Sequence, residues 1–382
     1  MYSISGFGLM IRDSVRMGPY AQALRQVIRP SSVVVDIGAG TGIFSLLACH
    51  YGARRVYSIE PNDAIAVAQA SAQVNGFADR IVFIQDLSTR ITLPEPVDVV
   101  VSDIRDILPL FGHHLPSIID ARKRFLRPGG AQIPQCDHLW VTPVEAPDEY
   151  ERKVLGHHPN PYGVSLEAAS RYTCNSRHKV SFKPEQFLAE PQIWTTLDYT
   201  TLETNNVSAT VNWTAARSGL CHGLAAWFEA ELAEGISFTT APGQPVTVYG
   251  HTFFPWHAPV DLTAGDLVTV TLKADLVGND YVWRWDSRVN DQKSPQQVKA
   301  SFQQSDFLGT PRIPAHFRKR SAQFVPNLNE EGQIERFIFT LIDGHTSLHA
   351  IAQLLCERYP ERFKREQDAI VRVAGVSSKF SR

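Results

Sequence analysis

The chain has 382 residues, too many for one compact core, so two or three domains are expected. Apolar residues make up 43% and charged residues 20%, with a formal net charge of −2, so there is no basic surplus for a polyanion and nucleic acid is set aside as a partner. Five scattered cysteines with no CxxC pair read as reduced packing thiols, and neither a metal site, a membrane span nor a signal peptide is expected, which points to the cytoplasm.

The first informative stretch is SSVVVDIGAGTGIFSLLACHYGARRVYSIEPND, Ser31 to Asp63. VVVDIG has the continuous β-branched character of a buried parallel strand. GIFSLLACHYGA follows as a helix, and RVYSIE as a second strand ending at Glu60. Strand, glycine turn, helix and strand make one βαβ unit, with its crevice at the carboxyl ends of the strands. Gly38, Gly40 and Gly42 let the backbone approach a ligand without a Cβ in the way. Glu60, about 20 residues on, is placed to accept hydrogen bonds from ribose hydroxyls. This pattern serves NAD or S-adenosylmethionine equally well.

Two details favour S-adenosylmethionine. Asp36 sits just before the glycines, where a carboxylate suits a sulfonium-bearing amino acid better than a pyrophosphate. A further strand, RIVFIQD, ends in Asp86 and Leu87, an acceptor for an adenine amino group and an apolar surface for its ring. The next strand, VDVVVSD, brings the loop SDIRDILPLFGHH, Ser102 to His114, to the same edge.

The stretch from about Tyr2 to Pro143 resembles the protein arginine methyltransferases and their bacterial relatives. The resemblance rests on DIGAGTGIFSLLACHYGARRVYSIEPND, on the upstream FGLMIRDSVRMGPYAQAL and on LRPGGAQIP. It implies that Met10 covers the sulfonium end of the cofactor and Arg16 holds its carboxylate. It also implies a fold: an α/β Rossmann-like methyltransferase domain over 1–143, then a β-barrel-like domain over 144–310. The runs VSATVNWTA, GISFTT, PVTVYGHTFFPW, LVTVTLKADLV and YVWRW are β-rich on their own pattern. A helical arm near 151–182 implies, by the same resemblance, a homodimer.

The loop departs from the family. Its members keep two glutamates nine residues apart that grip a guanidinium, whereas this chain has Asp103 and Gly112, with Asp106 between them. The Thr-His-Trp loop of the family lines up with Thr247-Val248-Tyr249, which lacks the histidine and has His251 nearby. Paired carboxylates suit an always-charged guanidinium, so the expected acceptor is N or O of a peptide or small natural product rather than protein arginine. Asp103, Asp106, His113 and His251 are the candidate catalytic residues, and Arg105, His114, Tyr249 and Trp256 the candidate substrate contacts. Two alternatives stand beside this reading: an arginine or guanidino N-methyltransferase using Asp103 and Asp106, and a catalytically silent protein that binds S-adenosylmethionine. S-adenosylhomocysteine is the product expected of either transferase.

After a polar junction, NLNEEGQIERFIFTLIDGHTSLHAIAQLLCERYP shows helical spacing on both sides of DGHTS, with Thr346 or Ser347 as cap. This small helical region, 320–375, loosely resembles the precursor-peptide-binding domains of pyrroloquinoline quinone biosynthesis, which implies peptide recognition.

Overall fold

The computed structural model describes residues 3–156, 162–294 and 296–381. The chain divides into two units, 1–311 and 312–382. Among the described residues no helix is long and apolar enough to cross a membrane.

The first unit opens with α1 (Ile4–Arg12) and α2 (Ser14–Val27), joined by Asp13, whose carboxylate accepts from the Arg16 N–H and caps α2. There follow β1 (Val33–Ile37), α3 (Ile43–His50), β2 (Arg55–Ile59), α4 (Ile65–Val74), β3 (Ile81–Ile84), β4 (Val97–Ser102), α5 (His114–Arg124) and β5 (Leu126–Ile133). The five strands are parallel, in the order β3-β2-β1-β4-β5. Every residue of β1 is buried, as helices cover both faces of the sheet. The order reverses between β1 and β4, so a crevice opens outside their carboxyl ends.

The β-rich part begins with β6 (Cys136–Val144), α6 (Pro147–Lys153), α7 (Ser170–Thr173), β7 (His178–Val180), β8 (Gln192–Asp198) and β9 (Val207–Thr214). It continues through β10 (Gly219–Ala233), β11 (Ile236–Thr239), β12 (His251–Leu262), β13 (Leu267–Val277), β14 (Asp280–Asn290) and β15 (Val298–Ser305). One antiparallel sheet runs β7-β12-β10-β6-β8, with β11 on β10; the other runs β15-β14-β13-β9. Their inner faces meet through Trp194, Phe254, Trp283 and Trp285, and ring centroids there lie 5.3–5.5 Å apart. The result is the expected barrel-like sandwich behind an α/β Rossmann-like domain. The expected arm falls on α6, α7 and their flanks, and 157–161 of it lie outside the described residues. PVTVYG, expected as strand, is a loop; β12 starts only at His251, after Gly250 turns the chain with φ +67°.

The second unit holds α8 (Pro314–Arg318), α9 (Glu330–Leu341), α10 (Leu348–Arg358) and α11 (Glu366–Phe380). Ser347 caps α10, accepting from the Ala350 N–H at 3.2 Å. Ile334, Ile338, Ile351, Leu355, Val373 and Val376 form a core of its own.

Candidate functional site

A cleft of about 410 Å³ lies at the carboxyl edge of the parallel sheet. Met10, Arg16, Gly38, Glu60, Asp86 and Leu87 all line it. Gly38 follows β1, and a Cβ there would stand 2.3 Å from Cγ2 of Ile104, so the turn after β1 packs directly on the loop after β4. Glu60 lies just past β2; its Oε2 accepts from the Gly40 N–H at 2.8 Å and Oε1 from the N–H and side-chain amide of Asn62. Two backbone donors thus aim its carboxylate at the cleft.

Three residues expected to touch a cofactor do not line the cleft. Asp36 faces inward instead, where Oδ2 accepts from the N–H and hydroxyl of Ser45 at the start of α3. Burial, outweighing those hydrogen bonds, pushes its carboxyl up to about 7. Gly40 lies under the ring of Phe7, and Gly42 caps α3 against Ala68. All three shape the turn from behind.

The acceptor side is a buried ion network. Asp103, just past β4, shares its carboxylate between two guanidinium groups and a phenol. Arg16 Nε and the Tyr249 hydroxyl donate to Oδ2, the latter at 2.6 Å, and Arg105 Nη1 donates to Oδ1 at 3.1 Å. Burial raises the Asp103 carboxyl, but Arg16, Arg105 and Tyr249 outweigh it and hold the group below its usual range. Arg105 is gripped in turn by Asp137 of β6, through Nε at 2.8 Å and Nη2 at 2.7 Å, and by the Tyr20 hydroxyl at 2.6 Å. Its guanidinium lies over the rings of Phe228 and Phe238. Arg105, a candidate substrate contact, lines the cleft and anchors the loop to the β-domain.

Tyr199 also donates to Asp137. Its hydroxyl hydrogen is thereby committed, so His114 Nε2, 3.0 Å away, must carry the proton it donates to Tyr199. Nδ1 of His114 then keeps a bare lone pair and has no hydrogen-bond partner. Burial, reinforced by the Arg105 charge, lowers the His114 pKa to about 3, so the ring is neutral. His114 and His113 both line the cleft; His113 Nε2 meets Asn279 Oδ1 at 3.1 Å.

The other acceptor candidates stand elsewhere. His251 stacks on Phe182, and its Nδ1 accepts from the Phe182 N–H at 2.8 Å. Trp256 is fully buried between the sheets, against Phe302. Tyr249 reaches the site only through Asp103 and Arg16. Asp106 is half-buried and does not line the cleft. Sequence reading missed Phe7, Phe44, Asn62 and Phe111 in the cleft wall, and Tyr20, Asp137 and Tyr199 behind it. Helical spacing in the amino-terminal stretch carried a signal for Phe7; nothing local marked Asp137 or Tyr199. Beside the cleft, a mostly apolar groove of about 630 Å³ shares Met10 and runs between Leu9, Asp13 and the loop Val246–Val248. Asp13 Oδ2 accepts from the Val248 N–H at 2.8 Å, which ties that loop to the α1–α2 junction.

Residues 136–285 match the arginine methyltransferase oligomerization subdomain, and residues 21–133 match the ribosomal protein L11 methyltransferase family. Protein arginine N-methyltransferase 2 of Homo sapiens is 31% identical over 295 residues, which is 72% of this chain and 66% of that protein. Probable protein arginine N-methyltransferase 6 of Arabidopsis thaliana is 30% identical over 59% of this chain and 53% of its own length. The chain therefore spans about half to two thirds of these relatives. Among solved structures, the Trypanosoma brucei protein arginine methyltransferase 1 enzyme–prozyme heterotetrameric complex with AdoHcy superposes with a TM-score of 0.71 at 21% identity, covering 78% of this chain and 96% of its own. Arabidopsis thaliana protein arginine methyltransferase 10, in an open conformation, gives 0.69 at 22% identity over 79% and 97%. These two show the fold. The expectation of an acceptor other than protein arginine is overturned by the relatives, which are named as protein arginine N-methyltransferases. The chain belongs to the protein arginine methyltransferase-like group of class I S-adenosylmethionine-dependent methyltransferases.

Proposed function

We propose that the chain transfers a methyl group from S-adenosylmethionine to a guanidino nitrogen of arginine in a protein or peptide, leaving S-adenosylhomocysteine. The observation that carries this reading is an ionised carboxylate, Asp103, lining the same cleft as Glu60. The residues present fit the cofactor. Glu60 suits the ribose hydroxyls, Asp86 the adenine amino group and Leu87 the ring face. Arg16 commits Nε to Asp103 and Nη1 to the Met10 carbonyl, which leaves Nη2 for a carboxylate. When bound, the cofactor supplies an electrophilic methyl on a sulfonium.

The acceptor is held by charge and alignment. Asp103 Oδ2 is taken by Arg16 and Tyr249, so the second lone pair of Oδ1, beside the Arg105 bond, is what Asp103 offers to an acceptor guanidinium N–H. The family's second glutamate lines up with Gly112, which has no side chain, so Asp103 is the one carboxylate of that pair that remains. As the new N–C bond forms and the S–C bond breaks, the nitrogen sheds a proton. His114, with its pKa near 3, and Asp103, below its usual range, do not retain it, and it passes to solvent. The groove beside Met10 gives an extended peptide a path to the cleft. A homodimer joined through the region around α6 and α7 is part of the same proposal, supported by the match to an oligomerization subdomain. Cysteines that form no disulfide support a reducing, cytoplasmic setting.

The test is incubation of the full chain with methyl-labelled cofactor and arginine-containing peptides, read by fragment mass spectrometry. Methylarginine is expected, with transfer falling about 100-fold or more in Asp103→Asn. Label on other residue types, or no transfer although calorimetry shows cofactor bound, would overturn the reading.

A further inference from the structure

Strands β6 and β10 pair with Cys136 opposite Glu231 and His138 opposite Glu229. On the other side of β6, Thr196 of β8 stands opposite His138, and Asp198 opposite Cys136. Side chains alternate along a strand, so Cys136 and His138 leave one face while Asp137 leaves the other, toward Arg105. On the outer face, Sγ of Cys136, Nε2 of His138 and a carboxylate oxygen of Glu231 all lie within 4.8 Å of one another. Sγ to Nε2 is 3.8 Å, and Nε2 to Oε1 of Glu231 is 3.0 Å. None of the three lines the cleft.

We propose that Cys136, His138 and Glu231 bind a zinc ion, with a fourth position open to water. With a zinc–sulfur bond of about 2.3 Å and zinc–nitrogen and zinc–oxygen bonds of about 2.0 Å, tetrahedral geometry requires about 3.5 Å between sulfur and nitrogen and about 3.3 Å between nitrogen and oxygen. Those two observed separations lie within a few tenths of an ångström of the required ones; the third, sulfur to carboxylate oxygen, is within 4.8 Å, and rotation of the half-exposed Glu231 side chain has to close it to about 3.5 Å. Thiolate and carboxylate together neutralise the dication, and a thiolate–imidazole pair selects zinc over magnesium or calcium.

The second layer is also in place. Nδ1 of His138 lies 3.0 Å from Oγ1 of Thr196, which can accept the ring proton and leave the Nε2 lone pair to the metal. Binding releases the Cys136 thiol proton and replaces the His138–Glu231 hydrogen bond with two bonds to one ion. Burial and then Asp137, Glu231 and Asp198 push the Cys136 thiol up to about 12, and those same carboxylates favour a cation nearby. Glu231 is half exposed, which gives the ion a way in. Bound there, zinc ties β6 to β10 at the point where β6 turns Asp137 inward to hold the acceptor loop.

Cobalt(II) and zinc(II) titrations of the chelator-treated full chain test this. One equivalent of cobalt should give a thiolate-to-cobalt charge-transfer band that zinc displaces. Cys136→Ser should abolish the band, and His138→Ala should weaken zinc binding at least 10-fold. Glu231→Gln, at an exposed position, covers the case in which a buried variant fails to fold: it should keep the band and bind zinc more weakly. No band at one equivalent, a band that survives Cys136→Ser, or zinc affinity unchanged in both His138→Ala and Glu231→Gln would each show that the three residues form only a hydrogen-bonded cluster.

Discussion

Asp36 and Asp103 are both buried aspartates at the ends of neighbouring strands, yet their surroundings drive them in opposite directions. Asp103 lies between two guanidinium groups, which hold it ionised. Its contribution to stability is present above pH 3.8, the unfolded value, and is lost as pH falls through the lower folded value. Asp103→Asn leaves the Arg16 charge buried without a carboxylate, and a loss of about 3–5 kcal/mol is expected in urea unfolding at neutral pH. A midpoint shift near zero would mean that Tyr249 and the Met10 carbonyl satisfy Arg16 without a carboxylate. Asp36 has only the Ser45 hydrogen bonds against the penalty of burial, and its Oδ1 has no partner. With its folded pKa raised to about 7 from 3.8, the native state binds the extra proton across that window, so stability falls as pH rises through it. Asp36→Asn should flatten this decline, measured as urea midpoints at pH steps across the window. An unchanged slope would place the titration elsewhere.

At the scale of elements, the acceptor loop after β4 is where sequence and structure part. The parallel strands were legible because β-branched runs ended by glycine leave few other readings. The 15-residue β10 was not: GLCHGLAAWFEAELA has neither alternation nor β-branched residues, since a central strand between β12 and β6 is buried on both faces. The cofactor wall was legible for the most part, as Gly38 and Glu60 fall within one βαβ unit. The acceptor wall was not, because Asp137, Tyr199 and Tyr249 reach the loop from distant strands and a loop of the other domain. His251 looked close to the site from its nearness to Tyr249 in sequence, but the turn at Gly250 sends the two side chains to different neighbours. Gly112 shows how far the loop itself has changed. Its φ of +47° is a left-handed conformation that an L side chain adopts at a penalty of about 1–2 kcal/mol. Gly112→Glu, which restores the carboxylate of the family, should therefore lower stability by about that amount and give no gain in arginine methylation. A variant that gained activity at unchanged stability would mean the loop relaxes into the family's shape on its own.

Across the whole molecule, the two units have separate cores and only one of them has the cleft. The larger contains every residue that fits the cofactor; the smaller closes Ile334, Ile351 and Val373 into its own apolar centre. A ligand that binds one folded unit stabilises that unit alone, by about 2.7 kcal/mol when its concentration is 100 times the dissociation constant. Calorimetric unfolding of the full chain should therefore show two transitions, and S-adenosylhomocysteine should raise only the one belonging to 1–311. Hydrogen exchange assigns them: amides of β1 and β4 should gain protection with the ligand, while those of α9 and α10 stay as they were. If a single transition moved as one, or the amides of α9 and α10 gained protection equal to that of β1, the helical unit would be thermodynamically coupled to the cleft, and its role would have to be sought in the transfer reaction itself.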